Sequence, residues 1–110
     1  IDSLGDNSSM ISSQTTEKSI EVPTKRLDSI FLDKKIKLLK IDAEGSEPEV
    51  LNGTLGIIKN IDYISVDCGA ERGVSQETTF REVYKIMAEN NFEIVDIYQQ
   101  RFTVLFRNKK

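Results

Sequence analysis

A short apolar run that stops at an acidic turn constrains the fold of this chain more than any other feature. It lies within residues 35–49, KIKLLKIDAEGSEPE, and its apolar side chains are Ile36, Leu38, Leu39 and Ile41. The run is too short for a free-standing helix. A short apolar run bounded by charged residues is typical of a strand buried on both faces of a parallel sheet. We therefore predict a β-strand that ends at Ile41.

A helix is predicted directly after this strand. Gly45 supplies a flexible turn, and Ser46 with Glu49 three residues later has the spacing of a capping box, with Pro48 in the first helical turn. Acidic residues also complement the dipole at a helix N-terminus, which by itself accounts for Glu47 and Glu49. The order of elements is therefore strand, acidic turn and helix.

The acidic turn is a candidate functional site. In open α/β sheets, ligands bind outside the carboxyl ends of the strands, and Asp42 and Glu44 fall at such an end. Asp42 ends the apolar strand itself, where a carboxylate costs free energy unless it is paired. We therefore favour a functional role for Asp42, whereas Glu44 fits a functional role and a purely structural role equally well.

Composition excludes several classes of protein. The 110 residues bound the chain to one domain, and 38% hydrophobic with 30% charged residues is typical of a globular protein and not of a disordered or membrane one. A net charge of -3 gives no electrostatic footprint for nucleic acid. No apolar segment is long enough to span a membrane.

The scarcity of cysteine and histidine limits the available chemistry. Cys68 is the single cysteine, which excludes an internal disulfide and favours a cytoplasmic location. Histidine is absent, so the commonest general base and the commonest transition-metal ligand are missing and carboxylates remain for these roles. With no histidine to activate its thiol, Cys68 is predicted to be a packed residue and not a nucleophile.

The N-terminal part is predicted from its polar composition. Residues 1–18 are rich in Ser, Thr, Asn and Asp, which favours a loop or a weak edge ribbon, and a chain that starts at Ile1 is expected to be a processed or excised piece. Alternation around Ile20 and Val22 predicts a short strand over 19–24. A short helix with Asp28 as its cap follows.

A second strand is predicted to end in an aspartate as the first one does. The apolar stripe of Val50, Leu51, Leu55 and Ile58 predicts a helix that ends near Lys59 and Asn60. A strand over 61–66 then closes in Asp67. If the two strands are parallel neighbours about 4.8 Å apart, Asp42 and Asp67 converge at one edge of the sheet, which we call the carboxyl edge.

The loop 70–76 is predicted to lie at the carboxyl edge, and it carries Glu71 and Arg72. Two roles are open for Arg72. It either forms a surface salt bridge with Glu71 or Asp67, which we favour, or binds an anionic ligand through a bidentate contact.

The last third of the chain is predicted to finish the sheet. The stripe of Phe80, Val83, Tyr84 and Met87 indicates an amphipathic helix that stops at Asn90 and Asn91. Strands over 92–98 and 102–106 are then joined by a three-residue turn as an antiparallel hairpin. The basic residues Arg107, Lys109 and Lys110 fit a solvated tail. The predicted fold class is α/β.

These motifs together resemble a known family. The stretch LLKIDAEGSEPEVLNG, preceded by TKRLDSIF and followed by ISVDCGAERG, is similar to the FkbM family of S-adenosylmethionine-dependent methyltransferases. The resemblance implies a Rossmann-like methyltransferase sheet that ends in an antiparallel hairpin, with residues 19–110 as its C-terminal half. The family's glycine-rich cofactor turn and its ribose-binding acidic residue have no counterpart, and the sequence contains no Gly-x-Gly. The 110 residues alone are therefore expected to be inactive.

The resemblance also implies an activity. A complete member is expected to transfer a methyl group from S-adenosylmethionine to a hydroxyl of a sugar, polyketide or similar small-molecule acceptor. Asp42 is the first candidate for the residue that orients the acceptor or removes its proton, followed by Asp67 and Glu71. The implied cofactor site comprises Asp42, Glu44 and Gly45, and the implied acceptor site comprises Glu71 and Arg72. A Mg²⁺ ion shared by Asp42 and Asp67 is a further form of this hypothesis.

Two rival interpretations use the same residues. The chain is alternatively a non-catalytic α/β module that binds a partner chain, or a small Mg²⁺-dependent α/β domain that handles phosphate. An incomplete sheet would leave an edge exposed, through which a homo-oligomer could form.

Overall fold

The computed structural model describes residues 19–110, so the loop or ribbon predicted for residues 1–18 lies outside the described residues. The elements in chain order are α1 (Leu27–Ile30), β1 (Ile36–Ile41), α2 (Glu47–Asn52), a 3₁₀ helix (Ile58–Asn60), β2 (Ile61–Asp67), α3 (Phe80–Glu89), β3 (Phe92–Tyr98) and β4 (Thr103–Asn108). The described chain is thus mixed α/β with a four-stranded sheet.

The sheet joins a parallel pair to an antiparallel hairpin, in the order β1-β2-β4-β3. β1 and β2 are parallel neighbours, with Ile41 opposite Val66, as the sequence predicted. The hairpin β3-β4 is confirmed, and β4 lies between β3 and β2, antiparallel to both. The start of β4 therefore reaches the end of β2, where Thr103 pairs with Asp67.

β4 is longer than predicted, which changes the role of Arg107. The strand continues to Asn108, so Arg107 belongs to the sheet and not to a solvated tail. Its guanidinium lies 2.7 Å from a carboxylate oxygen of Glu93 on the neighbouring strand. Cross-strand pairing with an opposite charge is a common reason for a basic residue to lie within a strand.

The core lies where the sheet packs against the helices. Its fully buried side chains include Leu51 of α2, Val83 and Met87 of α3, and Ile64, Val66, Cys68, Val104 and Phe106 of the sheet and its ends. This confirms α3 as an amphipathic helix and Cys68 as a packed residue. Tyr84 is 47% exposed, so the apolar stripe of α3 is narrower than predicted.

β1 is buried on one face and not on both, contrary to the prediction. Side chains alternate between the faces of a strand, so Leu38 and Ile41 point to opposite sides. Ile41 is buried, whereas Leu38 is 55% exposed. Among the described strands β1 is also an edge strand, because β2 is its one neighbour.

The short strand predicted over 19–24 is wrong. These residues have no regular secondary structure, and Ile20 and Val22 are 76% and 57% exposed. Alternating apolar residues form a strand only when a neighbouring strand and a core surface accept them.

The helix predicted after this segment is confirmed as α1, but Asp28 does not cap it. Arg26 occupies the cap position, and Asp28 lies one residue inside the helix. The Asp28 carboxylate accepts hydrogen bonds from the Arg26 guanidinium (3.0 Å) and from the Gly56 backbone N–H (3.0 Å). These donors hold the pKa of Asp28 below its usual value, with the hydrogen bond from Arg26 as the largest cause.

α2 is much shorter than the predicted helix, which was expected to end near Asn60. It ends at Asn52, and Gly53 closes it by donating its backbone N–H to Glu49 and Val50. Turns then lead to the 3₁₀ helix, and Leu55 is 40% exposed and so does not extend the buried stripe. Two glycines of this stretch, Gly53 and Gly56, weaken helix propensity, and the helix ends directly before the first of them.

No helix in residues 19–110 has both the length and the hydropathy needed to cross a membrane.

Candidate functional site

Three carboxylates converge at the carboxyl edge. Because β1 and β2 are parallel neighbours, Asp42, which follows β1, and Asp67, the last residue of β2, lie at the same edge, and the loop after β2 adds Glu71. One carboxylate oxygen of each residue lies within 4.8 Å of the other two. The predicted convergence of Asp42 and Asp67 is thus confirmed.

The two aspartates differ in their surroundings. The Asp67 side chain is 9% exposed, and it accepts a hydrogen bond from the Gly69 backbone N–H at 3.0 Å. The Asp42 side chain is 43% exposed. Asp67 is therefore fixed in place, whereas Asp42 is open to a ligand.

A cation that was not predicted from the sequence faces two of these carboxylates. Arg101, in the turn between β3 and β4, places its guanidinium 3.6 Å from Asp67 and 3.9 Å from Asp42. It reaches this edge because β4 inserts beside β2, and no local pattern in the sequence reports that strand order. Its side chain is 65% exposed, so these contacts are weak and a ligand can displace them.

Glu71 holds its proton more strongly than an ordinary glutamate. Partial desolvation is the first cause that raises the pKa of its carboxyl, and the negative charges of Asp67 and Glu44 raise it further. A carboxyl whose pKa lies closer to neutrality is a better proton acceptor for acid-base chemistry.

The turn after β1 has a backbone that few residues adopt. Glu44 has φ 50° and Gly45 has φ 104°, both in the left-handed region. A Cβ atom at Gly45 would lie 2.7 Å from the backbone oxygen of Glu71. Gly45 is therefore required for its backbone angle and also for the close approach of the loop that carries Glu71.

The predicted capping box at the start of α2 is wrong. Ser46 occupies the cap position but makes no side-chain cap bond. Glu47 instead turns back, and its Oε2 accepts hydrogen bonds from the backbone N–H groups of Ala43 (3.0 Å) and Gly45 (3.1 Å). Residue spacing accounts for Glu47 only as a residue that complements the helix dipole, because it does not reveal the contacts by which the turn folds over this side chain.

Arg72 does not pair with Glu71 or Asp67, contrary to the prediction. Its guanidinium donates to both carboxylate oxygens of Glu49 (2.6 and 2.7 Å) and to the backbone oxygen of Gly45 (2.6 Å). The hydrogen bond from Arg72 lowers the pKa of Glu49. Arg72 therefore fastens the loop after β2 to the turn after β1.

Cys68 lies next to Asp67 but is no nucleophile. Burial is the first cause that raises the pKa of its thiol, to about 12. The thiolate is the reactive form, so the side chain is inert at neutral pH.

Two cavities meet at Asp42. One, of about 620 Å³, lies between the turn 42–46 and the loop 71–73. The other, of about 400 Å³, is lined by Asp42 and Asp67 together with Leu38, Tyr98 and Arg101. Of the predicted site residues, Asp42, Glu44, Gly45, Glu71 and Arg72 line the larger cavity and Asp67 lines the smaller one. Cavities of this size are typical of small-molecule sites.

Comparison with known proteins gave one match. A family model described as a methyltransferase FkbM domain matches residues 1–94. The matched stretch includes β1, α2, β2 and α3, and with them the residues Asp42, Asp67 and Glu71. The search of curated proteins and the search of solved structures each found no match.

Proposed function

The chain belongs to the FkbM methyltransferase domain family, and we propose that it takes part in transfer of a methyl group from S-adenosylmethionine to a hydroxyl of a small-molecule acceptor. A sugar or a polyketide is the class of acceptor we favour. The observation that carries the proposal is the convergence of Asp42, Asp67 and Glu71 where two cavities meet. We also propose that the parallel pair and its antiparallel hairpin belong to a Rossmann-like methyltransferase sheet.

The charges of the larger cavity suit the cofactor. S-adenosylmethionine carries a positive sulfonium and a positive ammonium group, and the carboxylates of Asp42, Glu44 and Glu71 line the cavity. Opposite charges at short range in a partly desolvated cavity favour binding. The residues present fit the cationic part of the cofactor, and Asp42, Glu44 and Gly45 would hold it. When bound, the cofactor supplies an electrophilic methyl group.

The carboxylates would prepare the acceptor. Asp42 is open to a ligand, so its carboxylate would accept the hydroxyl proton of the acceptor and orient the oxygen. Asp67 is held by Gly69 and would fix the direction from which the hydroxyl enters. Glu71, with its raised pKa, would serve as the next proton acceptor. Arg72 and Glu71 would contact the acceptor on the loop side of the larger cavity.

Calorimetric titration of the intact protein with S-adenosylhomocysteine and with S-adenosylmethionine tests this proposal. We expect both to bind, and we expect D42N to weaken binding of the positively charged methionine compound more than that of the neutral thioether. D62N is the matched control, since Asp62 pairs with Lys110 away from the site. If neither compound binds to this chain or to a longer gene product that carries it, the methyltransferase proposal is wrong.

Mg²⁺ binding is the second candidate. Asp42, Asp67 and Glu71 offer the oxygen ligands that Mg²⁺ prefers, within 4.8 Å of one another. The ion would compete with Arg101, which now faces two of these carboxylates. Titration with MgCl₂ in the absence of cofactor tests it: heat that D67N abolishes supports a metal site, and no heat in the wild-type protein contradicts it.

The non-catalytic interpretation rests on the edge position of β1. A partner strand or a second copy of the chain could pair there, because an unpaired edge exposes backbone donors and acceptors. Light scattering over a range of protein concentrations tests for a homo-oligomer. We also propose a cytoplasmic location, since a free buried Cys68 suits a reducing compartment.

A further inference from the structure

Glu47 has no exposed surface, and the roles proposed above leave it unused. It is fully buried, as is Thr79 at the start of α3. Burial of a carboxylate is costly unless hydrogen bonds replace the water that it loses. A glutamate at this position therefore needs a reason beyond the helix dipole.

The carboxylate of Glu47 joins two separate segments of the carboxyl edge. Its Oε2 accepts hydrogen bonds from the backbone N–H groups of Ala43 and Gly45 in the turn after β1. Its Oε1 accepts a hydrogen bond from the Thr79 hydroxyl at 3.0 Å. All three bonds are donated to the carboxylate, as its charge favours.

Thr79 continues this connection to the end of β2. Its backbone N–H donates to the backbone oxygen of Cys68 at 3.3 Å. Cys68 follows Asp67 directly, just as Ala43 follows Asp42. A continuous path of hydrogen bonds therefore runs from the residue after Asp42, through Glu47 and Thr79, to the residue after Asp67.

The sheet fixes only one of the two aspartates. Asp67 pairs with Thr103 of β4, whereas the described pairing of β1 with β2 ends at Ile41, one residue before Asp42. Beyond that point the turn carries Glu44 in a left-handed conformation, which persists in a residue other than glycine only where surrounding contacts hold it. The two N–H groups that Glu47 binds belong to this turn.

We propose that Glu47 and Thr79 are positioning residues that set the distance between the carboxylates of Asp42 and Asp67. The inference rests on the proposed function, in which those two carboxylates prepare the acceptor. Glu47 is fully buried, so it has no surface with which to contact a cofactor or an acceptor. It acts through the turn on one side and through Thr79 on the other.

Three threonine variants of the intact protein test the proposal by NMR spectroscopy. T79V removes the hydroxyl but keeps the shape of the side chain, and T79S restores a hydroxyl. T54V is the matched control, because Thr54 is also fully buried and its hydroxyl donates to the backbone oxygen of Leu51 at 2.7 Å, away from the site.

In T79V we expect the amide hydrogens of Ala43 and Gly45 to exchange about tenfold faster or more, because the carboxylate that they bind loses an anchor. We also expect the nuclear Overhauser effect between the side-chain methylene protons of Asp42 and Asp67 to disappear. T79S and T54V should keep both signals at the wild-type level. If T79V does not fold, E47M, which removes both acceptor oxygens and keeps the length of the side chain, is measured in the same way, with the same expected changes.

Wild-type exchange rates and an unchanged Asp42–Asp67 signal in folded T79V or E47M would overturn the proposal. Because these signals need no ligand, they are independent of the calorimetric titration. If no cofactor binds but T79V shows the faster amide exchange and the lost Asp42–Asp67 signal, the methyltransferase function alone is rejected. If cofactor binds but the exchange rates and the Asp42–Asp67 signal of the variants equal those of the wild type, the positioning role alone is rejected.

Discussion

The substitution G45A probes how closely the turn after β1 and the loop after β2 approach each other. Gly45 has φ 104°, and a Cβ atom there would lie 2.7 Å from the backbone oxygen of Glu71 and 3.0 Å from the Cα atom of Arg72. Both of these neighbours are backbone atoms, so a side-chain rotation cannot relieve the contact. The loop or the turn has to move.

The expected cost has two parts. A left-handed conformation costs an L-residue about 1–2 kcal/mol relative to glycine. Overpacking against backbone adds about 1–3 kcal/mol. We therefore expect G45A to lower the free energy of unfolding by about 2–5 kcal/mol, and to weaken binding of S-adenosylhomocysteine because Gly45 lines the larger cavity.

G73A is the matched control, since Gly73 also has a left-handed backbone, with φ 71°. A Cβ atom there would meet nothing within 4 Å, so G73A should show only the backbone cost of about 1–2 kcal/mol. Urea unfolding followed by circular dichroism gives both free energies. Equal losses in G45A and G73A would refute the close approach of turn and loop.

Three further predictions concern charges and the thiol. E71Q should raise the free energy of unfolding at pH 7 and leave it unchanged at pH 3. Folding raises the pKa of Glu71, so the folded state binds more protons than the unfolded chain between the two pKa values, and the free energy of unfolding falls as the pH rises through that interval. Unfolding measured at both pH values checks the sign. A double-mutant cycle of R72A with E49A should give a coupling of about 0.5–1 kcal/mol, as expected for a half-exposed bidentate pair, and zero coupling would contradict the contact. Cys68 should react with a thiol reagent at neutral pH only in urea, since burial raises its pKa to about 12, and rapid reaction of the native protein would contradict that burial.

Local patterns were sufficient to predict most of the elements. Hydrophobic periodicity located β1, β2, α3 and the hairpin, because side-chain repeat depends only on the backbone geometry of each element. The predictions failed where an element needed a neighbour. Residues 19–24 alternate like a strand, yet Ile20 and Val22 are exposed and the segment is irregular.

Part of the candidate site was likewise predicted from the sequence, and part of it was not. Asp42 and Asp67 were predicted to meet because parallel neighbours end at the same edge of a sheet, and that rule needs only the order of elements. The hydrogen-bond partners of Arg72 and the position of Arg101 beside the aspartates were not predicted. Both depend on how loops from distant parts of the chain approach the edge.

Local patterns in the sequence were enough to predict the α/β class, the parallel pair with its two aspartates, the antiparallel hairpin and the family. The three-dimensional structure was needed to show that β4 inserts beside β2, that Arg101 faces the aspartates and that Glu47 is buried between the turn and Thr79. The physical reason is the range of the interactions. Periodicity, turn chemistry and strand ends act over a few residues, whereas the choice of a hydrogen-bond partner depends on distances between segments that are far apart in the chain.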